Sequence, residues 1–351
     1  MSSNRNQVVD ILRGIGILCV VIGHCYFLAY DSLELAVIYS FHMPLFILVS
    51  GYLFKEAPLS KEFVSKKIES ILVPYFIIAF FSMFTVLPSS DKPVVSFLVD
   101  IFVGNALDGR LWYNVALWFL PMLFLSTVAF ALTYTLADRT KRRTLVFCIG
   151  AVALSAFGYY LMHDQNERLV WNLEIALFVQ AFMLIGYLFR KAEERYAGRC
   201  STPMRILLCL AALILWGIGV YWNRRVDLNG RKVGNVFVYF VAAISAVYFL
   251  YEIAKYILVR LRPIAWFLSW CGENSLYIMA LHLPVSAIVY NGLHGYLPTL
   301  WNGMVWEQNV FGIVYILFYD ILIIALLRKV FRIHRTAEKI GRSNWIEKTH
   351  M

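Results

Sequence analysis

Two residues near the N-terminus, Arg13 and His24, have side-chain types and a spacing that could do chemistry from one helix face. Eleven helical positions bring both side chains to within about 20° of the same face and place them about 16 Å apart along the axis. A guanidinium can bind an anion, and an imidazole titrates near neutral pH and can act as a general base. Between them, Gly14, Gly16 and Gly23 leave room for a neighbouring helix or a ligand. The spacing favours an elongated anionic molecule that binds at Arg13 and reacts at His24.

Three more ionisable residues, His42, Glu174 and His282, also lie in apolar stretches of the sequence. An ionisable group inside a membrane span costs roughly 2.5–3.5 kcal/mol on insertion scales, so each is a candidate functional residue. The topology predicted below puts all three with His24 in the outer half of the membrane, as an acid–base cluster. Taken singly, His42 or His282 is equally well explained by a hydrogen bond to another helix. Because no His-x-x-x-His spacing is present, we expect no metal.

The elements that must position these residues are long apolar helices. Hydrophobic residues make up 60% of the 351 and charged residues 15%, and the mean hydropathy is +0.66. Soluble domains carry about 25% charged residues, whereas a membrane helix satisfies its own backbone in lipid. About 20 apolar residues cross the hydrocarbon layer. That length predicts an all-α polytopic membrane protein with about ten transmembrane helices, near residues 8–28, 34–54, 71–88, 112–136, 144–162, 171–189, 204–222, 235–257, 264–290 and 310–328.

The distribution of lysine and arginine predicts that both chain ends lie in the cytoplasm. With the N-terminus inside, 24 of the 32 basic residues fall on the cytoplasmic side, seven fall outside and Arg13 lies within the first span, as the positive-inside rule requires. The clusters alternate with apolar runs, so the net charge of +10 does not indicate nucleic acid. We expect one membrane-embedded domain over 1–351, with a short cytoplasmic tail at about 329–351, surrounded by lipid in the cytoplasmic (inner) membrane.

One predicted outer loop, residues 223–232, departs from this distribution because it holds four basic residues. Two interpretations stay open. The side chains could form a collar that reaches the membrane interface, or they could bind an anionic acceptor.

Six short segments follow one another along almost the whole chain. They are Arg13-x10-His24, Phe41-His-Met-Pro-Leu-Phe-x-x-x-Ser-Gly-Tyr52, Lys66-Lys-x-x-Ser-Ile-Leu-Val-Pro-Tyr75, Leu117-Trp-Phe-Leu-Pro121, Trp171-Asn-Leu-Glu174 through Gly186-Tyr187, and Gly272-x-Asn-Ser-Leu-Tyr-Ile278 through His282-x-Pro284. In this order they resemble the membrane acyltransferase-3 family, and most of all its fucose 4-O-acetylase-related branch.

The resemblance implies transfer of an acyl group, usually acetyl, from cytoplasmic acyl-CoA to a hydroxyl of a carbohydrate or lipid-linked sugar at the other face. It marks Arg13 and His24 as essential. Arg13, Lys66 and Lys67 are then expected to hold the phosphates of the co-substrate, acetyl-CoA or another acyl-CoA. The family's third-helix motif often reads Arg-x-x-Arg, where this chain has Lys67-x-x-Ser70.

With that resemblance, each remaining candidate has an expected role. His24 would deprotonate the acceptor hydroxyl or take the acyl group itself. His42 or His282 could orient the acceptor, and Glu174 could hold the His24 tautomer or bind sugar hydroxyls. Trp118 could stack on a sugar ring or belong to an interfacial aromatic belt. The alternative function is a polytopic transporter or exporter of a saccharide or lipid-linked sugar. The sequence shows no repeated halves of the kind many transporters have.

Overall fold

Helices form the whole architecture of the described chain. The structure, a computed structural model, describes residues 7–24, 32–106, 110–164, 168–196, 200–296, 318 and 321–322. Its α-helices are α1 (Gln7–Gly23), α2 (Leu33–Tyr39), α3 (His42–Tyr52), α4 (Lys61–Lys67), α5 (Val73–Met83), α6 (Val94–Val103), α7 (Phe119–Asp138), α8 (Arg143–Asp164), α9 (Leu173–Phe178), α10 (Gln180–Tyr196), α11 (Thr202–Asn223), α12 (Val236–Tyr256), α13 (Arg262–Glu273) and α14 (Ser275–Tyr296). No strand occurs within these ranges, so the all-α class is confirmed.

Several helices have the length and composition of membrane spans. Within the described ranges, five stretches are long and apolar enough to cross a bilayer, and the pair α9–α10, bent by 50°, would make a sixth. The five are Leu33–Tyr52, Trp112–Asp138, Arg143–His163, Thr202–Asn223 and Val236–Arg260. The count of ten spans and the orientation stay predictions. The predicted tenth span and the tail fall almost wholly outside the described residues.

Three predicted spans are interrupted in the middle: 34–54, 171–189 and 264–290. The first of them is still long and apolar enough, as Leu33–Tyr52, to cross a bilayer as one stretch. The span at 34–54 is split between α2 and α3, where Pro44 lies in the first turn of α3. Proline has no N–H and its ring would clash with the carbonyl of Ser40, so a continuous helix is interrupted there. The span at 264–290 is split at Asn274, whose backbone (φ −105°, ψ 10°) leaves the helical region. The Asn274 side chain donates a 2.6 Å hydrogen bond to the carbonyl of Trp270, which satisfies the helix end.

Glycines let α1 lie directly against α13. A side chain at Gly14 would collide with the backbone of α13, and one at Gly272 would collide with the backbone of α1. Gly16 and Gly23 lie against aromatic rings of neighbouring helices. All three glycines between Arg13 and His24 therefore serve helix packing, which is how small residues bring membrane helices together.

Candidate functional site

A cavity of about 440 Å³ brings together four of the residues singled out by the sequence. Arg13, His24, Lys67 and Trp118 all line it, and most of its remaining lining comes from α3, α7, α13 and α14. Lys66, the neighbour of Lys67, is exposed and lies outside this lining. Arg13 and His24 therefore share one space as well as one helix.

One part of the cavity wall is strongly charged. Arg13 and Lys67 contribute two cations and Glu273 contributes a carboxylate. Burial, together with the nearby charge of Arg13, lowers the pKa of Lys67. A bound anion would relieve the repulsion between the two cations, so this wall is suited to an anionic group.

The turn that follows Lys67 is wider than a normal helical turn. Helix α4 continues through a π-helical turn, Ile68–Leu72, into α5. Both Lys67 and Ser70, the ends of the Lys-x-x-Ser segment, face the cavity. Such π-helical turns are frequent at the functional sites of proteins.

The three histidines adopt the same local arrangement. In His24, His42 and His282, Nδ1 lies 2.8, 2.8 and 2.7 Å from a backbone carbonyl of the preceding turn. A carbonyl only accepts hydrogen bonds, so Nδ1 of each neutral ring carries the proton and Nε2 carries the lone pair. Each ring is thus fixed by a backbone carbonyl three or four positions before it, and its Nε2 keeps the lone pair.

The histidines also lie close to one another. The rings of His24 and His282 meet edge to face, with centroids 5.2 Å apart. His42 packs against the ring of Tyr39 at 4.8 Å, and the Tyr39 hydroxyl donates to the carbonyl of Gly23, next to His24. His42 and His282 are buried and His24 is half-buried. Across the described part of the chain, no three His, Cys, Asp or Glu side chains converge as a metal site requires.

Glu174 has a different partner from the one expected. It is fully buried, and one carboxylate oxygen accepts hydrogen bonds from Nη2 and Nε of Arg231 at 2.7 and 3.1 Å. The other oxygen, Oε2, is buried with no hydrogen-bond partner among the described residues. Glu174 therefore binds the basic outer loop, and neither its expected contact with the His24 ring nor a place in the cavity lining is seen.

That basic loop is folded into a hairpin, residues 224–235, which we call the outer hairpin after its predicted side of the membrane. Asp227 and Lys232 exchange two backbone hydrogen bonds of 2.8 Å each. Three apolar residues of the hairpin are buried in the same core as the helices: Val226, Leu228 and Val233. Arg231 does not fit the interpretation of this loop as a collar at the membrane interface, because its side chain is only 10% exposed. Arg225 lies over the Tyr39 ring at 4.4 Å, and both it and Asp227 lie within electrostatic range of His24.

Two features of the site were missed from the sequence. Glu273 lies inside the predicted span 264–290, so the rule that selected the other ionisable residues could have found it. The pairing of Glu174 with Arg231 had no local signal, because 57 positions separate the two residues.

Comparison with known proteins identifies a family. The model Acyl_transf_3, described as an acyltransferase domain, matches residues 6–328. Two similar proteins are each named nodulation protein NolL. The one from Mesorhizobium japonicum is 25% identical over 264 residues, which are 70% of this chain and 66% of that protein. The one from Sinorhizobium fredii is 26% identical over 243 residues, 63% of this chain and 60% of that protein. The chain thus spans just under two thirds of these relatives. No solved structure matches it.

Proposed function

This chain belongs to the acyltransferase-3 family, and we propose that it transfers an acyl group, with acetyl expected, from cytoplasmic acyl-CoA to a hydroxyl of a carbohydrate or lipid-linked sugar at or across the membrane. One observation supports this above the others: Arg13, Lys67 and His24 line the same cavity. Family membership supplies the class of reaction. The cavity adds groups suited to an anionic donor and a base suited to a hydroxyl acceptor.

The proposed binding of the acyl donor depends on the charge and the size of the cavity. Arg13 can hold two phosphate oxygens with its planar fork, while Lys67 acts as a point charge. A volume of about 440 Å³ is within the range of drug-sized ligands and smaller than a whole acyl-CoA. We therefore expect the cavity to take the acyl group and the adjoining arm, with the phosphates at Arg13 and Lys67 and the nucleotide beyond them.

The proposed acyl-transfer step depends on the tautomer of His24. Its Nδ1–H is held by the carbonyl of Val20, so Nε2 is free to take the proton of the acceptor hydroxyl. The hydroxyl oxygen attacks the thioester carbonyl carbon, the carbon–sulfur bond then breaks, and the departing thiolate receives the proton from His24. No group is oxidised or reduced.

The other candidate residues have supporting roles in this proposal. Trp118 is 5% exposed and lines the cavity, which favours contact with a sugar ring over a place in an interfacial belt. His42, reached from His24 through Tyr39, would help orient the acceptor. Glu174 would act through Arg231, by fixing the outer hairpin beside the histidines. The protein would lie in the cytoplasmic membrane with both ends inside.

The test is release of free CoA from acetyl-CoA by purified protein in nanodiscs, with water as the acceptor. Wild type is compared with Arg13→Gln and His24→Asn, where the asparagine amide can still donate to the Val20 carbonyl but Nε2 is lost. Lys61→Ala, an exposed site on α4, is the matched control. We expect turnover in wild type and the control, and a loss of about 100-fold or more in His24→Asn, the usual contribution of a general base.

Absence of CoA release would favour the alternative function, a transporter or exporter. A transporter or exporter of a saccharide would ignore acetyl-CoA. If folded wild-type protein neither binds nor hydrolyses acetyl-CoA or another acyl-CoA such as succinyl-CoA, measured by calorimetry and by CoA release, the proposed function is wrong.

A further inference from the structure

The contact between His24 and His282 joins two helices at the reacting end of the cavity. The two imidazoles meet edge to face with centroids 5.2 Å apart and planes at 65°. At this separation the edge of one imidazole is in direct contact with the other ring. His282 itself is 2% exposed. Its ring is therefore a neighbour of His24 in a place shielded from water.

The two nitrogens of His282 are in very different situations. Nδ1 lies 2.7 Å from the carbonyl of Met279 and 3.1 Å from that of Ile278, and so carries the ring proton. Nε2, the nitrogen at the far end of the side chain, is buried and has no hydrogen-bond partner among the described residues. A buried lone pair without a donor is costly to maintain. A proton or positive charge arriving beside it would remove that cost.

The backbone around His282 is held in place by Asn114, which lies in the segment Trp112–Trp118 before α7. Asn114 donates a 2.8 Å hydrogen bond to the carbonyl of Ala280, and a 3.0 Å one to the hydroxyl of Ser82. Asn114 is fully buried. The turn of α14 that carries His282 is thus tied through Asn114 to the segment before α7 and to α5, so the ring cannot easily withdraw from His24.

Other charged and titratable groups around His24 do not fill the same role. Arg225 and Asp227 of the outer hairpin and His42 of α3 lie within electrostatic range. Asp227 already uses Oδ1 to accept the N–H of Gly230 at 2.9 Å. His282 is the neighbour whose ring touches the His24 ring.

We propose that His282 is a positioning residue for His24, and that its Nε2 lone pair stabilises the imidazolium that His24 becomes during acyl transfer. The acceptor O–H bond breaks and its proton moves to Nε2 of His24. His24 then carries a proton on each nitrogen and a positive charge beside the lone pair of His282. When the carbon–sulfur bond breaks, that proton passes to the thiolate and both rings return to neutral. This role presupposes the proposed function and deepens it.

The test uses two variants of His282 that separate its nitrogens. In His282→Asn the side-chain amide lies near the position of Nδ1, so the bond to the preceding turn is kept and Nε2 is lost. In His282→Gln the amide reaches the position of Nε2 and can offer its oxygen as an acceptor. We expect His282→Asn to lower kcat for CoA release at least tenfold with KM for acetyl-CoA unchanged, and His282→Gln to stay within about threefold of wild type.

Other kinetic outcomes would overturn the role of His282. Equal losses in both variants would mean that the ring matters only for packing. A rise in KM at constant kcat would mean that His282 binds a substrate. If wild type releases CoA and neither variant differs from it, the role proposed for His282 is wrong but the proposed function stands. If wild type itself shows no turnover, the proposed function is wrong.

A second measurement does not depend on turnover. Nitrogen NMR of ring-labelled histidine in nanodiscs distinguishes a protonated ring nitrogen from a bare one, and His282→Asn assigns the signals. We expect Nδ1 of His282 to be protonated and Nε2 to be bare. A proton on Nε2 would remove the lone pair and overturn the proposal, whatever the kinetics show.

Discussion

Arg231 binds the fully buried carboxylate of Glu174 through two nitrogens of one guanidinium, at 2.7 and 3.1 Å. The pair joins the outer hairpin to α9, two segments far apart in sequence. Arg168 adds a 2.6 Å hydrogen bond to the carbonyl of Asn229 in the same hairpin. The basic loop is therefore a structural part of the fold.

Removing Arg231 should destabilise the protein severely. Arg231→Met leaves the Glu174 carboxylate buried without a counter-ion, which costs on the order of 3–5 kcal/mol. The double variant Arg231→Met/Glu174→Leu should recover most of this loss, because no charge is then buried. Thermal unfolding in detergent measures both, with the exposed Arg224→Met as control. If the double variant is as unstable as Arg231→Met alone, the buried charge of Glu174 is not the cause of the instability.

Lys67 should matter for donor binding and Lys66 should not. Lys67 lines the cavity beside Arg13, whereas Lys66 is exposed. We expect Lys67→Ala to raise KM for acetyl-CoA about tenfold, equivalent to about 1.4 kcal/mol, and Lys66→Ala to change it less than twofold. Lys67→Arg should bind at least as well as wild type, because the guanidinium is a better phosphate ligand. Equal effects at the two lysines would show that general surface charge attracts the donor.

A methyl group at Gly272 should disturb the contact between α1 and α13. The added carbon would collide with the backbone of Asp10, so the two helices must move apart. Gly272→Ala is therefore expected to lower the unfolding temperature by several degrees and to reduce CoA release. Gly217→Ala is the matched control, since a side-chain carbon there meets open space. Similar unfolding temperatures for the two variants would argue against close packing at Gly272.

Acidification should weaken an ion-pair cluster at the predicted cytoplasmic face. The hydrogen bond from Lys191, with the nearby charges of Lys191 and Arg143, lowers the pKa of Glu56 below its usual 4.5. Since the pKa is lower in the folded state, the stabilisation is present above pH about 4.5 and disappears as pH falls through the folded-state value. The unfolding temperature of wild type should drop more steeply below pH 4.5 than that of Glu56→Gln. Parallel curves would refute this contribution.

The sequence predicted what depends on local composition and helical spacing. Apolar length located helices at nearly all the positions where the described structure has them, and the interval from Arg13 to His24 placed both at one cavity. The break at Asn274 was missed because hydropathy does not register a polar side chain that bonds back to its own helix. The break before His42 had a signal in Pro44, whose effect on the preceding turn was not weighed.

Contacts between distant segments could not be predicted in this way. Nothing in the sequence indicated that Glu174 pairs with Arg231, which the structure shows. Likewise, the contact of His24 with His282 depends on how α1 and α14 cross, which no single stretch encodes. Side chains of the same type at the same predicted depth are not enough to specify which pairs will touch.

The contact between α1 and α13 also determines when the cavity can form during synthesis of the chain. Helix α1 is synthesised before α13, and the backbone surface that covers Gly14 belongs to α13, the second last of the described α-helices. Until α13 has been made, Arg13 lacks the cavity wall that carries Glu273. The cavity can form only after nearly all the described chain has been made, so a nascent chain stalled before α13 would contain His24 without the α13 and α14 walls of the cavity.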